Sequence, residues 1–301
     1  MSEKPPVSEV HGRLFLVGVP RSGTTLLQAL LAAHPQVTSF TESHLFSRPF
    51  RRVPGVGLVL TSDPTPRLVE FLTENGASAS EVAPWFGPPT PAELGSRLGR
   101  ASHTKDVAVR LVAVLDNLGL QRGSPVWLEK TPRHLHAIDL LESVCDDGVP
   151  TRFVHLFRDG LQTVASLYAA SRSWPESYEL GTCIDRWNRD LEQSARYLDR
   201  SNHHFVCYET LTRDPEAVLR ALFAALDLPW EASVLNDFGG VTDDLKTSDE
   251  TWKGRVNRAI RPSATANDVL DERQREQVLG SLRRDAYDRL RRHALGEPGG
   301  E

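Results

Sequence analysis

The residues that most directly suggest chemistry lie between Gly18 and Thr25, where two glycines are separated by four residues and followed by two threonines. This spacing is close to the phosphate-binding P-loop pattern, G-x-x-x-x-G-K-[ST], with Thr25 at the final hydroxyl position. Thr24, however, occupies the position of the P-loop lysine, so the cation that reaches the β- and γ-phosphates of a nucleoside triphosphate is missing. Arg21 supplies a cation inside the loop instead. The pattern therefore predicts a site for a phosphate or sulfate group, with a tight turn that binds no ligand as the alternative.

The segments around this loop predict how it is presented. Residues 14–17 are a short apolar run typical of a buried strand, and leucines recur at helical spacing over residues 26–31. Ser22, Thr24 and Thr25 offer side chains that cap the start of a helix. A strand, a loop and a helix in this order direct backbone N–H groups and the positive end of a helix dipole at one point, which favours an anion.

Further strands and helices alternate along the chain. Strands are predicted at 125–128, 152–156 and 204–207, followed by helices at 132–144, 160–170 and 214–226. Other helices are predicted at 67–75, 104–118, 185–199 and, as a pair, 271–293, whereas 37–52 is predicted as loop or short turns. This alternation is typical of an α/β fold in which helices flank both faces of a P-loop-like parallel sheet. We expect one domain, 13–293, between flexible ends at 1–12 and 294–301.

Ligands of parallel sheets bind beyond the carboxyl ends of the strands, which draws attention to two cations there. Lys130 follows the second predicted strand, and Arg158 follows the third, with Ser166 in the helix behind it. The guanidinium fork and the hydroxyl could converge on one phosphate. The alternative is that Arg158 forms a surface pair with Asp159 while Ser166 packs without a ligand.

Composition narrows the class of protein. The 301 residues are 40% hydrophobic and 25% charged, which is ordinary for a globular protein, and the net charge of −5 gives no general attraction to nucleic acid or an anionic membrane. The polar start and the lack of a long apolar run predict a cytoplasmic protein. Cys145, Cys183 and Cys207 are widely spaced, so we expect buried thiols and no zinc site.

Taken together, these motifs resemble the sulfotransferase family, whose members use 3′-phosphoadenosine 5′-phosphosulfate (PAPS) as sulfonate donor. The resemblance spans about residues 13–260 and is nearest to the branch of the tyrosylprotein and heparan sulfotransferases and many bacterial members. It rests on PRSGTT at 20–25 with His34-Pro35, on Phe157-Arg158-Asp159 with Ser166 eight residues after the arginine, and on Tyr208-Glu209 after a strand.

The resemblance implies how the donor is bound. The loop residues Arg21, Ser22, Gly23, Thr24 and Thr25 would hold the 5′-phosphosulfate. Arg158 and Ser166 would hold the 3′-phosphate, and Tyr208 would line the nucleotide. Lys253 and Arg255 resemble the late segment that closes over the donor. The family needs no metal, and the missing P-loop lysine is explained because the donor has no triphosphate.

The resemblance also implies catalytic roles. In-line sulfonate transfer needs a base for the acceptor proton, and Glu42 matches the catalytic glutamate of the tyrosylprotein and heparan enzymes. His44 is the alternative base. Arg21, Lys130 and the loop donors would stabilise the charge of the reacting group. Lys130 alternatively pairs with Glu129.

Two rival functions and an open acceptor complete these expectations. A P-loop kinase or NTPase is disfavoured by Thr24, and a nucleotide-binding module without catalysis is the second rival. We expect a small-molecule acceptor whose pocket is shaped by residues 45–120, including Phe46, Phe50, Trp85, Phe86 and a cluster of arginines. A homodimer is left open.

Overall fold

A computed structural model describes residues 9–55, 57–78, 97–244, 260 and 266–297. Its strands are β1 Gly12–Gly18, β2 Val37–Ser39, β3 Phe50–Val53, β4 Gly57–Leu60, β5 Val126–Lys130, β6 Thr151–Phe157 and β7 His203–Cys207. Its α-helices are α1 Thr24–Ala32, α2 Thr65–Glu74, α3 Arg97–Gln121, α4 Ile138–Val144, α5 Gly160–Ser171, α6 Leu180–Ala195, α7 Tyr208–Arg213, α8 Pro215–Ala225, α9 Val234–Asp244, α10 Ala266–Val269, α11 Glu272–Ser281 and α12 Arg284–Ala294. A 3₁₀-helix, Pro132–Ala137, joins β5 to α4.

Five strands form a parallel sheet in the order β2-β5-β1-β6-β7. The central strand β1 is buried along its whole length, so its apolar residues supply both faces of the core. Phe15 packs with Trp127 and Phe153 on one face, whereas Leu14 and Leu16 pack with α1, α8 and α9 on the other. Alternate residues of one strand thus bury two helical layers. The predicted α/β class, a parallel sheet with helices on both faces, is confirmed.

The strand register brings three strand ends to one edge of the sheet. Leu16 pairs with Lys130 of β5, and Gly18 pairs with Leu156 of β6. The segments after β1, β5 and β6 therefore leave the sheet side by side, which is where ligands of such sheets bind.

Some predicted elements were wrong. The segment 37–52 is not loop throughout, because β2 adds an edge strand to the sheet and β3 pairs antiparallel with β4. The predicted helix at 132–144 begins as a 3₁₀-helix, and Lys130 ends β5 instead of following the strand. Strands of three or four residues are too short for their period to be read.

The structure describes the three cysteines and the apolar character of the helices. Cys145, Cys183 and Cys207 are buried thiols, as predicted. Among the described residues, no helix combines the length and the apolar character needed to cross a membrane.

Candidate active site

The loop between β1 and α1 depends on its two glycines because neighbouring elements approach them closely. Gly18 has φ +142°, and a Cβ atom there would lie 2.1 Å from the backbone oxygen of Leu156. Gly23 has φ +99°, and a Cβ atom there would lie 2.5 Å from the ring of Tyr208. The two glycines therefore allow the loop to pack closely against β6 on one side and against Tyr208, which follows β7, on the other.

The start of α1 differs from the prediction in a way that suits an anion. Gly23 is the N-cap, and no side chain caps the helix, so the predicted capping by Ser22, Thr24 and Thr25 is wrong. The Ser22 hydroxyl is buried and has no hydrogen-bond partner among the described residues. A buried hydroxyl without a partner beside uncapped helix N–H groups is unfavourable unless a ligand satisfies it. These residues fit a phosphate or sulfate group.

Arg21 links this loop to α5. Its Nε atom donates to the hydroxyl of Ser166 at 3.3 Å, which brings together two predicted site residues that are 145 positions apart. The backbone of Arg21 has φ +74°, a left-handed conformation that is costly for a residue with a side chain. Such conformations persist where the surrounding structure enforces them, commonly at functional sites.

Arg158 lies at the end of β6 and is buried, so the alternative of a surface pair with Asp159 is wrong. Its guanidinium carbon lies 4.5 Å from the centroid of the Tyr208 ring, and its backbone oxygen accepts the indole N–H of Trp187 at 3.1 Å. Burial lowers the pKa of Arg158 below its ordinary value, although Tyr208 and Glu209 act in the opposite direction. Gly23, Arg158 and Tyr208 thus form one contact cluster.

The sequence did not reveal how the segment that follows Arg158 is held in place. The Asp159 carboxylate accepts the N–H of Gln162 at 3.1 Å and so caps α5. The backbone N–H of Asp159 donates to the carboxylate of Glu209 at 3.0 Å, and the hydroxyl of Tyr287 lies 3.4 Å from the same carboxylate. In the sequence, Glu209 is only the second residue of the Tyr208-Glu209 motif. In the structure, its carboxylate connects the end of β6 to α7 and α12.

Glu42, His44 and Lys130 form a second group, beyond the end of β5. Lys130 is fully buried, and its ammonium donates to Glu42 Oε1, so the alternative pairing with Glu129 is wrong. His44 Nε2 lies 3.5 Å from Glu42 Oε2. Burial lowers the pKa of His44 to about 4, which Glu42 opposes and Arg48 reinforces. The imidazole is therefore neutral near pH 7. The backbone of His44 has a φ of +53°, which is unusual for a residue other than glycine.

Several predicted residues are not described by the structure. Lys253 and Arg255 lie outside the described residues, as do Trp85 and Phe86. Phe46 and Phe50, which were predicted to shape the acceptor pocket, are buried in the hydrophobic core. Across the described parts of the chain, no group of three or more His, Cys, Asp or Glu side chains is arranged to hold a metal ion.

A sequence model described as the sulfotransferase family matches residues 13–232 of this chain. The chain belongs to the sulfotransferase family. Similar curated proteins include protein-tyrosine sulfotransferase A of Caenorhabditis elegans, 24% identical over 91% of this chain and 67% of that protein. Human protein-tyrosine sulfotransferase 1 is 25% identical over 74% of this chain and 53% of its own length.

Solved structures agree with this assignment at the level of the fold. The sulfotransferase domain of the Synechococcus PCC 7002 olefin synthase has a TM-score of 0.53 and 18% identity, covering 100% of both chains. The sulfotransferase domain of the curacin biosynthetic pathway has a TM-score of 0.51 and 19% identity, covering 97% of this chain and 100% of its own. The family model that matches residues 13–232, and not the likeness of fold, confirms the predicted sulfotransferase class.

Proposed function

We propose that this chain moves the sulfonate group of PAPS to a hydroxyl or amine of a small-molecule acceptor, with Glu42 as general base. The observation that carries the proposal is the contact between the buried ammonium of Lys130 and Glu42 at the end of β5. Because β5 and β1 are neighbours in the sheet, this pair lies beside the loop that contains Arg21. A base and two cations then surround one anion site.

The donor would be held by the other strand ends. The loop residues Arg21, Ser22, Gly23, Thr24 and Thr25 suit the 5′-phosphosulfate. Ser22 supports this assignment because its buried hydroxyl has no partner among the described residues. Arg158 and Ser166 would bind the 3′-phosphate, and the Tyr208 ring under Arg158 would line the nucleotide. Lys253 and Arg255 are proposed to close over the donor from the later segment.

Each residue of the catalytic group has a separate task in an in-line transfer. The bond between sulfur and the phosphate oxygen breaks, a bond to the acceptor oxygen or nitrogen forms, and the acceptor proton passes to a carboxylate oxygen of Glu42. Lys130 and Arg21 offer fixed positive charge where negative charge grows during transfer. Lys130 also orients the Glu42 carboxylate through their contact. The neutral imidazole of His44, 3.5 Å from Glu42, is the alternative base.

The class of acceptor is inferred from the names of the relatives. The relatives are named as protein-tyrosine sulfotransferases, which favours a phenolic hydroxyl as the acceptor group. A phenol on a small molecule has the same reacting chemistry as a tyrosine side chain, so a tyrosine peptide is the second candidate. A cytoplasmic location and a homodimer stay predictions.

The test is transfer of labelled sulfonate from PAPS to matched panels of small phenols, sugars and tyrosine peptides. We expect transfer to a small phenol that is abolished in Glu42→Gln and retained in Glu176→Gln, an exposed glutamate outside the site. Transfer to tyrosine peptides alone would show that the acceptor is a peptide and not a small molecule. Binding of adenosine 3′,5′-bisphosphate without transfer to any acceptor would favour the non-catalytic module.

A further inference from the structure

We propose that Glu129 is a positioning residue that fixes the base loop, residues 42–46, against β5. The proposal rests on the proposed function because its consequence for turnover depends on Glu42 being the base. Glu129 is fully buried on β5, next to Lys130, and the sequence suggested for it only an ion pair that does not form.

The carboxylate of Glu129 is surrounded by hydrogen-bond donors. Its Oε1 atom accepts from the backbone N–H of Ser43 at 3.2 Å, the hydroxyl of Ser43 at 2.7 Å and the hydroxyl of Thr131 at 2.6 Å. Its Oε2 atom lies 2.8 Å from Nδ1 of His134. Every one of these contacts needs an acceptor at position 129, and an ionised carboxylate is an acceptor only.

Two of these partners extend the cluster to the rest of the base loop. The N–H of His44 donates to the hydroxyl oxygen of Thr131 at 3.2 Å, and the N–H of Phe46 donates to Nε2 of His134 at 3.1 Å. Since Nε2 accepts, Nδ1 of His134 carries the proton that it donates to Glu129. Three backbone N–H groups of the base loop therefore end at Glu129, directly or through one side chain.

The charge of Glu129 is supported by the same contacts. Burial raises the pKa of this carboxyl, but His134 and the hydroxyls of Thr131 and Ser43 outweigh burial and lower the pKa below its ordinary value. A glutamine at this position has the same shape, yet its NH₂ group would face donors on whichever side it took. The substitution Glu129→Gln thus replaces one of the two acceptor atoms by a donor without leaving a cavity.

The position of Glu129 explains why the base would be affected. Lys130 binds the side chain of Glu42, while the neighbouring Glu129 binds the backbone that follows Glu42. From the other side, Arg67 donates to the backbone oxygen of Glu42 at 2.5 Å and to that of Ser43 at 2.7 Å. Without Glu129, the backbone of Ser43 keeps its contact with Arg67 but loses its contact with β5. A displacement of about 1 Å at a reacting group can cost about 10²-fold in rate.

The first experiment compares Glu129→Gln with Glu142→Gln. Glu142, on α4, is a matched control because its carboxylate also contacts a buried histidine, His203, at 3.0 Å, but outside the site. We expect Glu129→Gln to lower kcat by about 10- to 100-fold, with an unchanged KM for PAPS and an unchanged Kd for adenosine 3′,5′-bisphosphate. Glu142→Gln should keep kcat within about twofold. An unchanged kcat in Glu129→Gln, or an equal loss in both variants, would overturn the proposal.

The second experiment separates positioning from general damage. In the Glu42→Gln background, the further change Glu129→Gln should cause no additional loss of kcat, because a displaced base loop no longer matters once the base is gone. A further loss of the same factor would mean that Glu129 does not act through Glu42. If Glu129→Gln fails to fold, Thr131→Val removes the hydroxyl between Glu129 and His44 with little change of shape and should show a smaller loss of the same kind.

Hydrogen exchange provides a readout that needs no turnover. In Glu129→Gln, the amides of Ser43, His44 and Phe46 should exchange faster, whereas those of Leu16 and Val17 in β1 should not change. Equal protection at the first three amides, or loss of protection throughout β1, would overturn the proposal. If Glu42→Gln retained the wild-type rate, the assignment of the base would fail, while the exchange at these three amides would still decide whether Glu129 holds the loop.

Discussion

The proposed donor side, which comprises the loop 18–25, Arg158 and Tyr208, is built differently from the proposed acceptor side, which comprises the base loop and β5. On the donor side, backbone geometry dominates: Gly23 meets the ring of Tyr208, and Arg158 lies directly at the end of β6. On the acceptor side, buried charged side chains dominate, because Lys130 and Glu129 of β5 hold a base loop that lies more than 80 residues earlier in the chain. The donor side thus depends on the close approach of its backbone to neighbouring elements, whereas the acceptor side depends on contacts between buried charged side chains and a distant loop.

Both sides nevertheless store backbone strain. Among the described residues, the non-glycine residues with positive φ are Arg21, His44 and Asp227. Two of these three belong to the site, one on each side. Strained backbone persists where neighbouring contacts enforce it, so the shared feature marks the two loops that must be held in one conformation.

The largest expected effect tests the acceptor side. Glu42→Gln should lower kcat by about 10²- to 10⁴-fold, because the acceptor proton loses its base. The affinity for adenosine 3′,5′-bisphosphate should not change, since the donor side does not use Glu42. Steady-state kinetics and calorimetry check the two halves of this prediction. A near-normal rate would transfer the role of base to His44.

The next effect concerns the pH dependence of stability. The pKa of His44 falls from an ordinary 6.5 to about 4 in the fold, so between these values the unfolded chain binds more protons. The contribution of His44 is therefore fully present above pH 6.5 and is lost as the pH falls through 4, a difference of about 3 kcal/mol in the free energy of unfolding.

Denaturant unfolding of wild type and His44→Asn across this range isolates that contribution. Asparagine tolerates the positive φ of residue 44, so the variant keeps the backbone while removing the titrating group. Other groups, including Glu129, also weaken the fold in acid and affect both proteins alike. Parallel stability curves for the two proteins would contradict the burial of a neutral His44.

The prediction for the donor side concerns the affinity for adenosine 3′,5′-bisphosphate. Arg158→Ala should weaken binding of adenosine 3′,5′-bisphosphate more than about tenfold, because charge-assisted contacts of arginine to phosphate are the strong ones. Arg172→Ala is the control, since Arg172 also lies over a tyrosine ring, that of Tyr168, but is exposed. Titration calorimetry measures both. Equal affinities for wild type and Arg158→Ala would remove Arg158 from the 3′-phosphate site.

The sequence predicted the elements that carry the proposed donor side because their signals are local. The apolar run of β1, the two glycines and the helical spacing of α1 lie within a few turns of chain, and Arg158 follows a clear strand. The approach of Tyr208 to Gly23 and the contacts of Glu209 were missed, because they join segments that are far apart in the sequence.

The acceptor side could not be predicted to the same extent. β2 has three residues, and β3 exposes most of its own, so neither shows a readable period. Glu129 looked like a partner of the adjacent Lys130, yet its partners Ser43 and His134 come from other segments. A buried carboxylate binds the donors that the fold places around it, and the adjacent residue in the sequence need not be one of them. The roles of Lys253 and Arg255 stay predictions.

The smallest expected effect tests whether the contact between Gly23 and Tyr208 matters beyond backbone conformation. Gly23→Ala and Gly76→Ala both put a Cβ atom on a residue with positive φ, at a cost of about 1–2 kcal/mol each in stability. Nothing lies within 4 Å of a Cβ atom at Gly76, whereas at Gly23 the ring of Tyr208 must move. Because that ring lies under Arg158, only Gly23→Ala should also weaken bisphosphate binding, by about two- to tenfold. If both variants lost stability and neither lost affinity, the tyrosine would be packing against the loop without shaping the donor side.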